Sequence, residues 1–356
     1  MRTWGITGTN GKTTTTWILA EFLNAAYITT VEVNTLARRF YTGYTTPPLD
    51  QLHAIFAEME ANGAKDCVME VSSHAIHQHR TGDTVFAGGA FTNLSEDHLD
   101  YHKTMEAYFE VKLDFARRMP KGAPYVVCLD GGYGKEMLEA CRALKGPRII
   151  PVTRAEPTFD LTGLQLVGDY NESNVLTAAV LAEAAGVKHE LIQAKIPLLK
   201  PRWGRLEYVP CRATRARIYV DFAHTPDGLE KVLRAARGFT QGRLWVVFGA
   251  GGDRDAMKRP LMGAACAKGA DQLIVTSDNP RSEEPEEIIR QIVAGIPEAK
   301  RAAVQVEPER RKAIENAVKS AAEGDVVLIC GKGHETTQEI KGVKHPFDDR
   351  EVVRGL

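Results

Sequence analysis

Gly5-Ile6-Thr7-Gly8-Thr9-Asn10-Gly11-Lys12-Thr13 follows a short apolar start and opens a threonine-rich stretch with helical periodicity. Glycines let the backbone turn tightly enough for successive N–H groups to face phosphate oxygens. The helix start adds partial positive charge, Lys12 a full one, and the Thr13 hydroxyl is placed to ligate magnesium. The spacing is tighter than the usual phosphate loop, because Ile6 stands five residues before Gly11. A glycine turn without a ligand has no need of Gly-Lys-Thr at a helix start. Residues Gly8, Thr9, Asn10, Gly11, Lys12, Thr13 and Thr14 are therefore read as a nucleotide site. Alone, such a loop says only that a nucleoside triphosphate is bound.

A strand, a phosphate loop and a helix make one unit of a parallel α/β fold, and the rest of the chain continues the pattern. Short apolar runs rich in β-branched residues predict strands at 66–71, 125–129, 148–152, 217–221, 244–248, 272–276 and 325–330. Helical patterns lie between them, among them 13–26, 227–237 and 284–293. The segment 196–204, with two prolines, a lysine and an arginine, reads as a linker. Two α/β domains are expected. Residues 1–200 form a phosphate-loop ATPase domain with a mostly parallel sheet, and residues 201–356 a Rossmann-like domain. A cleft between such domains is a common place for a site.

Composition sets the outer bounds. The chain has 356 residues, 44% hydrophobic and 26% charged, with a net charge of −1. No global field favours nucleic acid or an acidic membrane, so anion binding has to be local. The six cysteines are scattered, with no Cys-x-x-Cys pair and no histidines at zinc spacing. The N-terminus lacks the apolar run of a signal peptide, and no stretch approaches a membrane span. A cytoplasmic protein acting on small molecules, as a monomer and without nucleic acid or membrane partners, is the expectation.

Two residues outside the loop carry chemistry. Glu70 ends the apolar run Cys67-Val68-Met69, and a carboxylate at a strand's C-terminal end beside a phosphate loop suits a hard cation. Alone it would read as a solvated strand-end acid. Residues 105–119 read as a helix with Thr104 as its N-cap. Met105, Tyr108, Phe109, Phe115, Ala116 and Met119 share one face, with Lys112 at its centre and Glu106, Glu110, Asp114 and Arg117 opposite. A lysine there needs a partner or a function. The plain alternative is a stem that snorkels to an internal carboxylate.

Several further motifs stand in order along the chain. They are Met69-Glu70-Val71-Ser72-Ser73-His74, Phe91-Thr92-Asn93-Leu94-Ser95-Glu96-Asp97-His98 and Asp221-Phe222-Ala223-His224-Thr225-Pro226-Asp227. Gly249-Ala250-Gly251-Gly252-Asp253-Arg254-Asp255, Asp278-Asn279-Pro280-Arg281, Gly331-Lys332-Gly333-His334-Glu335 and Phe347-Asp348-Asp349-Arg350 follow. With the phosphate loop, they closely resemble the Mur ligases over essentially the whole chain.

The resemblance implies an ATP- and magnesium-dependent ligase that forms an acyl phosphate and hands it to an amine, in building peptidoglycan precursors. It implies that Lys12 is catalytic together with Glu70, His98 and Lys112, and that Lys112 is carbamylated by carbon dioxide. Thr13, Glu70, His98 and Lys112 would be the metal ligands. Asn171 and Asn174 match the family's adenine-side asparagines, and Arg205, Asp221 and His224 match residues that reach ATP. Thr45, Thr46, Ser72, Gln78 and Arg80 match positions that hold a muramyl-dipeptide acceptor. Arg254, Asp278, Asn279, Arg281, Gly331 and Glu335 match the amino-acid pocket. Arg281 at its place implies meso-diaminopimelate rather than lysine, against a bland pairing of Arg281 with Glu283 or Glu284. Glu96, Tyr170 and Ala250 stand where the family usually has arginine, phenylalanine and cysteine. The family begins with a uridine-binding domain, whereas here the first strand starts near residue 3, so weak recognition of a uridine end is expected. A ligase of the same mechanism acting on a non-nucleotide muropeptide, a lysine-adding enzyme, or a non-catalytic nucleotide-dependent scaffold are the alternatives.

Overall fold

A computed structural model describes all 356 residues. The chain packs as two compact units, residues 1–95 with 102–200, and residues 96–101 with 201–356. The first unit holds an eight-stranded sheet. Its strands are β1 (Arg2–Thr7), β2 (Ala26–Ile28), β3 (Val33–Asn34), β4 (Arg39–Phe40), β5 (Asp66–Glu70), β6 (Phe86–Phe91), β7 (Pro124–Cys128) and β8 (Arg148–Val152), in spatial order β4-β3-β2-β5-β1-β6-β7-β8. The pairs β2–β5, β5–β1, β1–β6, β6–β7 and β7–β8 are parallel, and β2–β3 and β3–β4 are antiparallel. Central β1, flanked on both sides, is buried from Thr3 onward, as expected of a strand covered on both faces.

The first helix and strand β6 depart from the sequence reading. The helix predicted over 13–26 spans Lys12–Leu23, because Asn24 turns left-handed at φ 52 and returns its N–H to Ala20 O. Residues Ala26–Ile28 then join β5 as strand β2 instead of extending the helix. Strand β6, Phe-Ala-Gly-Gly-Ala-Phe, carries no β-branched residue, so composition hides it. Its glycines are needed where they stand: a Cβ on Gly89 would fall 2.8 Å from Gly5 O and 3.1 Å from the Phe115 ring. That absence lets the helix Met105–Arg117 lie close on the sheet.

The second unit is built on β9 (Glu207–Val209), β10 (Arg217–Asp221), β11 (Leu244–Phe248), β12 (Gln272–Val275), β13 (Gln305–Val306) and β14 (Val326–Cys330), in order β13-β12-β11-β14-β10-β9. Only β9 runs antiparallel to its neighbour. Its core joins Ile218, Val220, Val247 and Ile329 of the sheet to Ala313, Ile314 and Ala317 of the helix Arg310–Ser320. A separate hairpin, β15 (Thr337–Ile340) with β16 (Val343–Pro346), turns through Lys341 at φ 50 and Gly342 at φ 78. Two successive left-handed residues make the tight connection that matches strand twist.

Candidate active site

The phosphate loop joins β1 to the helix Lys12–Leu23. Gly11 has φ 84, and a Cβ there would lie 2.3 Å from Asn174 Oδ1, so only glycine admits that asparagine to the loop. Asn174 Oδ1 also accepts from Thr15 Oγ1 at 3.3 Å, and Asn171 donates to Val167 O at 2.7 Å. Both asparagines, expected beside adenine, are buried, with Asn174 against the loop. From the other side Asn93 clasps Asn10, accepting its N–H at 3.0 Å and donating to its carbonyl at 2.9 Å. Thr92 donates to the same carbonyl at 2.7 Å. Spacing alone did not reveal Thr92 and Asn93 as braces of the loop. Lys12 Nζ donates to Gly8 O at 2.9 Å and Thr9 O at 2.8 Å, which keeps a full positive charge over the loop. Thr13 is buried and Thr14 partly so.

Register places Glu70 beside Ile6, at the loop end of the sheet. Its carboxylate is buried, accepts from Thr30 N at 2.8 Å, and lies 3.2 Å from Thr30 Oγ1. Those partners are neutral. A buried carboxylate compensated by neutral donors alone fits a magnesium ion, which favours oxygen ligands. No three His, Cys, Asp or Glu side chains gather as a metal-binding group, so the other donors would have to be hydroxyl, phosphate, water or a modified lysine. Beside Glu70, Thr46 Oγ1 donates to Glu70 O at 2.8 Å and accepts from Ser72 N at 3.1 Å. Ser72 caps the short helix Ser73–His77. Thr45 Oγ1 lies 3.0 Å from Thr30 Oγ1, and Arg80 donates to Thr46 O at 3.3 Å and Gln78 Oε1 at 2.8 Å. All five acceptor candidates therefore adjoin one another, although Thr46 is fully buried and committed to the backbone.

Lys112 lies on the inner face of the helix Met105–Arg117, 0% exposed, with Nζ 4.7 Å from the centre of the Tyr108 ring. Thr104 caps that helix through Ala107 N, as predicted. Tyr108 OH stands 3.2 Å from Thr9 Oγ1, so the buried lysine and the phosphate loop share a neighbour. His102 stacks on Tyr108 with ring centres 4.8 Å apart and bonds Ser73 Oγ at 2.9 Å. It packs.

In the second unit Asp97 is buried between Lys258 Nζ, 3.5 Å away, and its neighbour His98, whose Nε2 is 3.4 Å away. Burial works against the Asp97 carboxylate, yet Lys258, His98 and His224 hold it well below the ordinary range. Neither Asp97 nor Lys258 stood out in the sequence. Burial, aided by Lys258, lowers His224 and keeps its ring neutral. Its Nδ1 then donates to Phe222 O at 2.8 Å, leaving Nε2 as an acceptor. Asp221 closes β10 and accepts from Ala223 N at 2.7 Å and Leu206 N at 2.6 Å. Burial raises its carboxyl. Those bonds fix the turn that sets Arg205 over the Phe222 ring at 4.6 Å. His334 packs on the same ring, and burial with Arg205 nearby pushes it down to about 3.

The C-terminal ends of β11, β12 and β14 carry the candidate amino-acid pocket. Gly252 N donates to Asn279 O at 2.9 Å, which joins the 249–255 loop to Asp278-Asn279-Pro280-Arg281. A Cβ on Gly251 would lie 2.9 Å from Arg281 Nη1 and 3.7 Å from Arg254 Cγ, so two arginines border one small space. Burial and the neighbouring Arg281 both lower Arg254, the response of a cation crowded by another. Arg281 donates to Gly252 O at 2.6 Å and lies 3.7 Å from Glu339. The bland pairing with its sequence neighbours is absent: Glu283 binds Arg259 at 2.7 Å, and Glu284 lies 3.1 Å from Lys341. Asn279 donates to Glu335 Oε2 at 2.8 Å, and Gly331 N donates to Asp221 O at 3.1 Å. Asp278 Oδ2 is buried beside Gly331 without a hydrogen-bond partner.

The missed hairpin underlies this pocket. Arg281 N donates to Glu339 O at 3.0 Å, Glu339 N to Asn279 Oδ1 at 3.0 Å, and Gln338 to Asp278 O at 2.7 Å. These bonds hold Arg281 left-handed at φ 52, which few arginines adopt. Gly342 after Lys341, a turn residue between two short runs, was a signal that could have found it.

Comparison with known proteins agrees with this arrangement. Residues 6–157 match the Mur ligase middle domain, and residues 204–333 the Mur ligase glutamate ligase domain. A UDP-N-acetylmuramoyl-L-alanyl-D-glutamate–2,6-diaminopimelate ligase of Aquifex aeolicus is 42% identical over 99% of this chain and 76% of its own length. The chain belongs to the Mur ligase family. As a Mur ligase it is an ATP-dependent, ADP-forming acid–amino-acid ligase, of a family that uses ATP and magnesium in general. A solved structure of a ligase with the same name as the Aquifex protein is 33% identical, covers all of this chain and 78% of its own, and superposes with a TM-score of 0.62. The folylpolyglutamate synthase of Mycobacterium tuberculosis shares the fold at 18% identity and a TM-score of 0.70, over 93% of this chain and 88% of its own. In the Mur middle domain stand the phosphate loop, Glu70 and Lys112, and in the Mur C-terminal domain Arg205 to Gly331, with Glu335 just beyond the matched residues.

Proposed function

We propose that this Mur ligase joins meso-diaminopimelate to an acceptor of the UDP-N-acetylmuramoyl-L-alanyl-D-glutamate type. The observation that carries the choice of amino acid is the pair Arg254 and Arg281 around Gly251, with Arg281 unpaired to the acids that follow it. Diaminopimelate differs from lysine by one terminal carboxylate. Two guanidiniums bordering one space, one of them lowered by burial and by the other, offer paired donors to a carboxylate there.

The chemistry has two steps. The acceptor's carboxylate oxygen attacks the γ-phosphorus, and ADP departs with the electrons of the broken P–O bond. The amine nitrogen then attacks the acyl carbon, phosphate departs, and the nitrogen gives up a proton to leave an amide. Lys12 and the N–H groups of the loop spread the phosphate charge, and Thr45, Ser72, Gln78 and Arg80 orient the acceptor. Asn171, Asn174, Arg205, Asp221 and His224 serve the nucleotide. Thr13, Glu70, His98 and Lys112 would hold magnesium, which supplies charge neutralisation at the phosphates. Carbamylation of Lys112 would replace a buried cation by an anionic oxygen donor, which answers the energetic problem of an ammonium 0% exposed.

The test is ADP release with diaminopimelate and with lysine, each against acceptors with and without UDP. Diaminopimelate-dependent turnover with the UDP-linked acceptor is the expected result. A preference for lysine, or turnover with the UDP-free acceptor alone, would replace this reading by one of the alternatives.

A further inference from the structure

Three cations in the second unit are wholly buried beside a carboxylate, Arg259, Arg310 and Lys332, and the partner of Arg259 is Glu283, 30% exposed and outside the residues assigned to the amino-acid pocket. Arg310 and Asp349 are both 0% exposed, joined at 2.7 and 2.8 Å, and Arg310 also donates to Ser277 O at 3.3 Å and Cys330 O at 2.9 Å. Both charges are hidden, as in a pair that serves only the fold. Lys332 is likewise 0% exposed, but its partner Glu335 is 32% exposed. The cation lies inside while the anion reaches the surface. Lys332 Nζ donates to Glu335 Oε2 at 2.8 Å and to Asn279 Oδ1 at 3.1 Å, and Asn279 Nδ2 donates to the same Oε2 at 2.8 Å. The three groups close a ring. Because Asn279 Oδ1 takes Lys332 and Glu339 N, its amide can face only one way. Both bonds to Glu335 fall on Oε2, so Oε1 is left to turn outward.

We propose that Lys332 is a positioning residue of the amino-acid pocket, fixing Glu335 and Asn279 from within so that Glu335 Oε1 meets an ammonium group of the incoming amino acid. The proposal rests on the assignment of Asn279 and Glu335 to that pocket. Burying an ammonium is unfavourable unless its bonds are well made, and here they are made to the two side chains offered to the substrate. Without Lys332, Glu335 loses its inner anchor and rotates among conformers, so the amino acid suffers while ATP and the acceptor do not.

The experiment is a double-mutant cycle on the full chain with Lys332→Met, Glu335→Gln and both, measuring KM for the amino acid, ATP and acceptor, with Tm alongside. Methionine keeps the buried length without the charge. If Lys332→Met does not fold, Lys332→Gln takes its place. The expected result is a roughly 10- to 100-fold rise in the amino acid's KM for each single variant, the worth of one charged hydrogen bond. ATP and acceptor KM values should stay within about twofold, and the double variant should lose little more than either single one. Additive losses, or equal rises for all three substrates, would make Lys332 a structural residue and overturn the proposal. If Glu335→Gln leaves the amino acid's KM unchanged, the pocket assignment itself is wrong and the proposal falls with it.

Discussion

Replacing Arg281 with alanine removes one of the two cations that border Gly251 while leaving Arg254 in place. The Arg281 side chain is 21% exposed, so most of its charge is exchanged with protein rather than water. Truncating one partner of a buried charged pair costs about 2–5 kcal/mol. The wet edge and the surviving Arg254 argue for the lower part, about 2–3 kcal/mol, or a 30- to 150-fold rise in the KM for diaminopimelate. Lysine has no terminal carboxylate, so its KM should change by less than about threefold. Folding should suffer little, because the side chain's one short bond is to Gly252 O, a net of about 1 kcal/mol. The assay is steady-state ADP release from wild type and Arg281→Ala with each amino acid. Equal handling of diaminopimelate by the two proteins would refute the carboxylate-clamp reasoning.

Three further predictions follow from the geometry. Lys12→Ala should abolish ADP formation with Tm nearly unchanged, because Lys12 is only part-buried and its bonds to Gly8 O and Thr9 O stay within the loop; unaltered turnover would remove the phosphate-loop assignment. Intact-protein mass spectrometry under bicarbonate, at mildly alkaline pH, should find one added carbon dioxide that Lys112→Met lacks, and bicarbonate should stimulate wild type only; no adduct and no stimulation would reject carbamylation. His334, lowered to about 3 by burial and by Arg205, favours the fold above its unfolded value near 6.5. That stability is lost as pH falls from about 6.5 toward 3, since the unfolded chain takes the proton first, and amounts to about 2–4 kcal/mol for a half-buried ring. His334→Asn should flatten the urea-unfolding free energy over that window, and a slope unchanged from wild type would count against it.

The phosphate loop, Glu70 at a strand end and Lys112 on the buried side of its helix were legible in the sequence because each is a local pattern. A glycine-lysine-threonine turn, a short apolar run and a 3.6-residue period are written within a dozen positions, and the folded chain keeps all three. Strand β6 was not legible, because its glycines answer to Gly5 and Phe115, which are remote in sequence. The same holds for Thr92 and Asn93 on Asn10, for Asp97 beside Lys258, and for the hairpin that bends Arg281. Arg281 makes the division plain. Sequence set it beside Glu283 and Glu284, yet tertiary packing gave Glu283 to Arg259, left Glu284 near Lys341, and turned Arg281 toward Gly252. Local patterning determines which residues can carry charge to a strand's end. Only the packing of distant segments decides which of those charges are neutralised by the fold and which are left for a ligand.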